Sequence, residues 1–425
     1  MTLNDTARQD VAPGRPAAPT TRLAEVRSSY QPLLERIAAG AVERELDGTL
    51  PAEQIDWLKK AGYGALRVPV EHGGAGLTWP ELTQLWIDLA AVDNNLPQAL
   101  RGHFALAEDR LHQHAIGVDQ ATWFDRFVAG EIGGNAWSEV GSTTIDTQQT
   151  VLSSDGDGFR LNGTKYYTTG TIFAEWADVY ALREDGTFVI ALVRTDESGF
   201  SVTDDWDGFG QRGTGSGTAT FDNVRVEAAN VLVFAERFPY QTAVYQLNLL
   251  ATLSGIGRAA LRDAVAEVRR RERNYSHANA ARVRDDAQVL ARIGEISSAV
   301  YAAEATTLRV ATTVQAAFEA SGAEPDRVLA INEAAEIESA AAQVVVTELV
   351  LRATSDLFDT LGASATSRAK ALDRHWRNAR TVSSHNPRIL KARVVGAYEV
   401  NGTPPPYAWA IGTTKRDRTK ARECG

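Results

Sequence analysis

The spacing of hydrophobic and polar positions changes twice along the chain. From about Arg22 to Ile132 the apolar residues recur at helical intervals. Ala52-Glu-Gln-Ile-Asp-Trp-Leu-Lys-Lys predicts a helix that breaks at Gly62. Trp79-Pro-Glu-Leu-Thr-Gln-Leu-Trp-Ile-Asp-Leu-Ala predicts another, with Pro80 suited to a first helical turn. The intervening Arg67-Val-Pro-Val-Glu-His-Gly-Gly-Ala-Gly-Leu reads as a loop. From about Gly133 to Phe234 the pattern is that of strands. Gly158-Phe-Arg-Leu-Asn-Gly-Thr-Lys-Tyr-Tyr alternates around Asn162-Gly163, which reads as a tight turn. Ala177-Asp-Val-Tyr-Ala-Leu, Thr187-Phe-Val-Ile-Ala-Leu-Val and Thr218-Ala-Thr-Phe-Asp-Asn-Val-Arg-Val read as further strands. Many short strands this close predict an antiparallel sandwich or barrel. From about Arg237 to Tyr398 the chain is helical again and rich in alanine. Its long amphipathic runs, 244–273, 285–320 and 327–357, predict a helix bundle.

The pattern therefore predicts an α+β chain: an N-terminal helical domain over 22–132, a β domain over 133–235 and a C-terminal helix bundle over 236–400. Residues 1–21, polar with Pro13, Pro16 and Pro19, read as a flexible tail, and 401–425, with Pro404-Pro405-Pro406, as an irregular one.

Composition narrows the class. The chain has 425 residues, 44% hydrophobic and 23% charged, which is ordinary for a globular protein. Its formal net charge of -10, with no stripe of Lys and Arg, argues against nucleic acid as a partner. The single cysteine, Cys424, excludes a disulfide framework and a cysteine-based zinc site, and fits a reducing cytoplasm. No apolar run reaches the roughly 18 residues of a bilayer span, and the N-terminus lacks the apolar core of a signal peptide. Gly208-Phe-Gly-Gln-Arg-Gly matches a dinucleotide-binding pattern. It lacks the following helix whose N-terminus would meet a phosphate, so it is set aside.

Three segments in order resemble the acyl-CoA dehydrogenase superfamily over nearly the whole chain after the tail. Gly134-Asn-Ala-Trp-Ser-Glu-Val-Gly-Ser is similar to the strand whose backbone reads the flavin's pyrimidine edge. Gly163-Thr-Lys-Tyr-Tyr-Thr-Thr-Gly is similar to the turn that sets an aromatic and a hydroxyl beside the flavin ring. Gly210-Gln-Arg-Gly-Thr-Gly-Ser-Gly-Thr-Ala-Thr-Phe-Asp-Asn-Val-Arg-Val is similar to the domain's last strands. A dehydrogenase of this superfamily removes a proton next to a thioester with a carboxylate base. The two stretches that would carry the base, from Asn378 to Lys391 and from Pro239 to Ser254, contain no acid. Asp373-Arg-His-Trp-Arg-Asn-Ala-Arg followed by His385-Asn-Pro instead resembles the flavin-dependent monooxygenase branch, which includes dibenzothiophene monooxygenase. His103 in Leu100-Arg-Gly-His-Phe and Trp206 in Asp204-Asp-Trp-Asp-Gly-Phe-Gly match it too.

That resemblance implies an oxygenase component that takes reduced FMN, with FAD an alternative, from a partner flavin reductase. It implies a C4a-hydroperoxyflavin formed with O2, and transfer of one oxygen to sulfur, nitrogen or carbon of a small, largely apolar molecule. It also implies a homotetramer. The catalytic candidates are His103, His385 and Thr169, because a hydroperoxide needs hydrogen-bond donors and a proton source. The cofactor-binding candidates are Asn135, Trp137, Ser138, Tyr167, Thr169, Trp206, Thr214, Ser216, Arg273 and Asn386. Each has an ordinary reading as well. His385 could be a loop histidine, His103 a helix-face histidine bonded to backbone, Thr169 a turn hydroxyl, and Tyr167 and Trp137 core aromatics. Arg273, near Arg269, Arg270 and Arg271, could belong to a solvated basic face rather than reach a flavin phosphate. Val382 and Ser364 stand where the dibenzothiophene enzyme carries a histidine and an arginine, which leaves that substrate unsupported. Two rivals remain open at this point: an acyl-CoA dehydrogenase with an unrecognised base, and a non-catalytic scaffold.

Overall fold

The computed structural model describes residues 21–139 and 148–407. Seven α-helices lead: α1 (Thr21–Ala39), α2 (Ala41–Asp47), α3 (Ala52–Lys60), α4 (Trp79–Val92), α5 (Asn95–Ala99), α6 (Arg101–Ala115) and α7 (Ala121–Val128). The start of α4 is fixed by a capping box: Thr78 and Glu81 satisfy each other's end of the first turn, and Pro80 fills a position with no hydrogen bond to lose. Beyond α3 the chain reverses through Gly62, at φ 74°.

The strands β1 (Gly133–Ala136), β2 (Val151–Asp155), β3 (Gly158–Lys165), β4 (Trp176–Arg183), β5 (Phe188–Arg194), β6 (Phe200–Thr203), β7 (Thr218–Glu227) and β8 (Val231–Val233) form one sheet. Its order is β6-β7-β3-β2-β4-β5-β8, with β1 parallel to β4. The expected sandwich or barrel is realised by this single sheet. Leu161, Phe221 and Val224 from one wing share a core with Val179, Ala191 and Val193 from the other. On the opposite face Trp176, Ile190 and Leu192 pack against Leu106, Phe124 and Phe127 of α6 and α7.

One local expectation is corrected. Asn162-Gly163 is not a hairpin turn. The reversal between β2 and β3 lies at Gly156-Asp157, between the paired Asp155 and Gly158. β3 continues through Gly163, where its register against β7 shifts. Gly163 has φ 149°, and a Cβ there would collide with Thr150. The glycine therefore serves a bulge and a close backbone crossing.

The bundle comprises α8 (Gln241–Arg270), α9 (Ala287–Glu319), α10 (Pro325–Asp356), α11 (Asp373–Ser384) and α12 (Arg388–Asn401). α8 lies along α4, its Leu247, Leu250 and Ile256 in one core with Leu82, Trp86 and Leu89. Gly255 permits the approach, because a Cβ would strike the Ile87 carbonyl and Ala90. Among the described residues, no helix is long and apolar enough to cross a membrane.

Two adjacent acids of α6 tie the three blocks together. Glu108 is fully buried and accepts from Arg67 (2.7 Å), Trp79 Nε1 (2.8 Å) and Tyr240 OH (2.8 Å). Asp109, also fully buried, pairs with Arg110 and accepts from the Phe238 backbone N–H at 3.3 Å. Replacing Glu108 with Ala would strand the Arg67 guanidinium in the interior. Glu108→Ala is expected to cost about 3–5 kcal/mol of stability in urea unfolding. A loss below about 1 kcal/mol would show the node to be dispensable.

Candidate active site

The site is built from the turn after β3, the strand β1, the start of α6, the first turns of α8 and the end of α11. The turn is held from three directions: Tyr166 N–H donates to Ser138 O (2.9 Å), Thr168 N–H to Gly217 O (3.0 Å) and Gly170 N–H to Thr214 O (3.0 Å). Gly170, at φ 79°, is required there, since a Cβ would run into the Ala99 carbonyl. Tyr167 is held at φ 58°, a conformation costly for a bulky residue. Its exposed ring meets Trp206 edge-on, with centroids 6.0 Å apart. Trp206 is fixed by its Nε1–H on Gly210 O at 3.1 Å.

Three hydroxyls form a row behind this rim. Thr214 donates to Gln211 O (2.8 Å), and Ser216 lies 2.7 Å from both Thr214 and Thr169. With Thr214's proton committed to a carbonyl, the row orders as Thr169 to Ser216 to Thr214, so Thr169 Oγ1 is left as an acceptor. Asn135 runs alongside. Its N–H donates to Thr169 O at 3.4 Å, and its Oδ1 is sealed from solvent with no partner. Such an atom calls for a donor from outside the protein.

The other half of the site gathers around Trp137. Its Nε1–H donates to the buried Asp178 at 2.7 Å, and Asp178 also binds Arg237 at 2.7 Å. Tyr245 of α8 meets the Trp137 ring edge-on at 5.6 Å, and Arg101 lies over the Tyr245 ring at 5.3 Å. Burial pushes the Tyr245 phenol well above its ordinary range, so it stays an O–H, and that hydroxyl has no partner. His385, just past α11, keeps an exposed edge while protein, Arg101 among it, packs around the ring. Loss of hydration, reinforced by the positive charge of Arg101, lowers its pKa to about 3, so it is neutral at physiological pH. The carboxylates nearest Tyr245, Asp178 and Asp109, are both committed to arginines, which leaves neither available as a base.

The structure thus brings Asn135, Tyr167, Thr169, Trp206, Thr214 and Ser216 together, with Trp137 and His385 facing Arg101 and Tyr245. Ser138 contributes its backbone carbonyl, and Asn386 follows His385 with no side-chain hydrogen bond among the described residues. His103 stands apart. It is fully buried, its Nε2 is 2.8 Å from Gly64 O, and its Nδ1 accepts from Gly133 N–H at 3.3 Å. Both nitrogens are used by backbone, and the ring stitches α6 to the turn after α3 and to β1. Arg273 does not end a helix: α8 stops at Arg270, and Arg273 is exposed three residues later. His375 is buried, 2.9 Å from Asp263, pinning α11 to α8. Arg101, Tyr245, Asp178 and Arg237 are the residues that sequence reasoning missed. A signal existed for one set: Gln241, Tyr245 and Asn248 fall at i, i+4 and i+7 on one face of α8.

Family models for the acyl-CoA dehydrogenase N-terminal, middle and C-terminal domains match residues 24–131, 136–224 and 249–387. The chain belongs to the acyl-CoA dehydrogenase family. Within it, the chain is 28% identical to dibenzothiophene monooxygenase of Rhodococcus qingshengii, over 95% of this chain and 99% of that one. It is 28% identical to a probable FMNH2-dependent monooxygenase, SfnC, of Pseudomonas putida, over 88% and 94% of the two. TdsC from Paenibacillus sp. A11-2, solved with FMN and indole, superposes with a TM-score of 0.82 at 28% identity, over 90% of this chain and 99% of that one.

The His103 contacts carry a pH signature. Burial lowers its pKa to about 4, against 6.5 for an ordinary histidine. Below about pH 6.5 the unfolded chain takes the proton first, so stability is intact above that pH and falls toward pH 4. His103→Gln is expected to make the decline shallower by up to about 1.4 kcal/mol per pH unit in that window. An unchanged slope of urea midpoint against pH would refute the assignment.

Proposed function

We propose that the chain is the oxygenase component of a two-component system, using reduced FMN from a separate flavin reductase and O2 to oxygenate sulfur, nitrogen or carbon of a small organic substrate. The observation that carries this reading is that the two stretches where a dehydrogenase of this family would carry its base, 378–391 and 239–254, hold no acid. Where a dehydrogenase needs a base, this chain has His385, neutral at physiological pH. The relatives support the same reading, since both are monooxygenases by name, one of them FMNH2-dependent, and TdsC was solved with FMN.

The residues fit the cofactor. Reduced flavin bears a proton on ring N5, and Thr169 offers an acceptor whose own proton is committed to Ser216. Asn135 Oδ1 is a second unsatisfied acceptor. Tyr167 and Trp206 offer aromatic faces at the rim, Trp137 a third, and the Ser138 to Tyr166 pairing sets the strand edge. Thr214 and Ser216 keep Thr169 oriented. Asn386 and the exposed Arg273 are assigned to the polar end of the cofactor, Arg273 by way of a neighbouring subunit. When bound, reduced FMN supplies the electrons that activate O2. His385 would then hold or pass a single proton. His103 is assigned to positioning β1 rather than to the reaction. Exposed Tyr301, Leu329, Ile389 and Val400 on the bundle support assembly as a homotetramer, and we place the enzyme in the cytoplasm beside its reductase.

Mixing enzyme and reduced FMN with O2 is expected to produce a lag between loss of reduced flavin and appearance of oxidised flavin. His385→Ala is expected to shorten that lag and lower product yield by about 10²-fold or more. Reoxidation at the rate of free flavin would sink the proposal. Bleaching of bound flavin by an acyl-CoA panel would favour a dehydrogenase instead, and no binding of flavin in either redox state a scaffold.

A further inference from the structure

The described residues include five buried arginines: Arg67, Arg101, Arg110, Arg237 and Arg374. Four have a carboxylate within ion-pair distance: Glu108 for Arg67, Asp109 for Arg110, Asp178 for Arg237 and Asp263 for Arg374. Arg101 has none. It is 6% exposed, its Nε is sealed without a partner, and among the described residues no hydrogen bond reaches the guanidinium. A buried cation without a counter-ion is among the costlier arrangements in a folded protein. It persists where a ligand compensates it.

The surroundings point to the ligand's place. Arg101 begins α6 beside His385 and over the Tyr245 ring. Gln98, three residues earlier, has an unpartnered buried Oε1. Across from this segment, the face of α8 carries three unpartnered polar atoms: the Tyr245 hydroxyl, a donor, and Gln241 Oε1 and Asn248 Oδ1, both acceptors. Asn248 Nδ2 donates to Pro97 O at 3.0 Å, which fixes that face against the 97–101 segment. The Arg101 guanidinium and the Tyr245 hydroxyl are donors with no carboxylate partner among the described residues, a pairing that suits an anion, whereas the amide oxygens of Gln98, Gln241 and Asn248 take donors. Trp137 and Tyr245 supply an apolar wall next to it.

We propose that the substrate carries an oxyanion, a carboxylate or a sulfinate, and that Arg101 with Tyr245 binds it. The proposal deepens the reduced-flavin reading by naming the substrate's charge, and its test is a binding measurement that does not depend on turnover. Because His385 is neutral, Arg101 supplies the only positive charge among these residues. A guanidinium offers a fork of N–H donors to two oxygens of one acid, so a neutral isostere of the same shape leaves it unpaired.

Full-length wild type and Arg101→Met would be titrated with acetate, benzoate, methanesulfinate and benzenesulfinate. Their neutral counterparts are acetamide, benzamide, dimethyl sulfoxide and methyl phenyl sulfoxide. Wild type is expected to bind at least one anion about ten-fold or more tightly than its neutral partner, and Arg101→Met to lose that preference while holding reduced FMN unchanged. The carboxylate and sulfinate arms tell the two acids apart. Ligand-free Arg101→Met is expected to melt no lower than wild type, because an uncompensated buried charge has been removed. Should Arg101→Met fail to fold, Arg101→Lys keeps the charge without the fork and is expected to retain a reduced preference for the same anion. Equal binding of every anion and its neutral partner by wild type would overturn the proposal. So would a loss of reduced-FMN affinity in Arg101→Met, which would make Arg101 a flavin ligand, or a lower melting temperature without ligand, which would make it a packing residue. If reduced flavin reoxidises at its free rate while the anion preference holds, the oxygenase reading fails and the anion site stands.

Discussion

Two neighbouring carboxylates on α6, Glu108 and Asp109, set the geometry of everything around them. Glu108 gathers Arg67, Trp79 and Tyr240, and Asp109 gathers Arg110 and the backbone of Phe238. Those partners come from the first loop, from α4 and from the stretch that leads out of the sheet into the bundle. Ionised groups this deeply buried tolerate little displacement, since a broken pair leaves a bare charge in a medium that cannot hydrate it. The helix carrying them is therefore anchored near its middle. Its first residues, which include Arg101, are presented to the site on a fixed support.

Against this background the site is a place where the pairing of charges and polar atoms is deliberately incomplete. The other buried arginines meet acids, and the Trp79 and Trp137 N–H groups find carboxylates. Between α6, β1 and α8, Arg101 has no such partner among the described residues. Asn135, Arg101, Tyr245 and Gln98 each keep a polar atom unsatisfied. Such groups cost stability when nothing is bound.

Much of the architecture was legible in the sequence because it rests on local rules. Pro80 in a first helical turn, the break at Gly62 and the apolar runs of β4 and β5 are short-range features, and the structure follows them. Asn162-Gly163 was misread because a glycine's freedom serves a bulge as readily as a turn. What decides between them is Thr150, a neighbour across the sheet rather than along the chain. The same limit applies to the site. Thr169, Ser216 and Asn135 come from segments whose order marks the family, so their convergence was foreseeable. His103 looked equally eligible, yet both its nitrogens are taken by Gly64 and Gly133, partners no local pattern reveals. Arg101 was overlooked for the converse reason. What sets it apart is the acid it lacks, and a missing tertiary partner leaves no trace in one strand of letters.

The segment after α12 returns to the first turn of α8, where Thr242 Oγ1 donates to the Tyr407 carbonyl at 2.8 Å. One residue before Thr242 is Gln241, and three after it is Tyr245, both on one face of α8, which forms a wall of the proposed site. The end of the described chain is therefore tied by a hydrogen bond to the helix that forms that wall. Anything that loads or shortens this strap, whether a fused domain, a bound neighbour or a proteolytic cut, acts as a handle on the position of that wall without touching it.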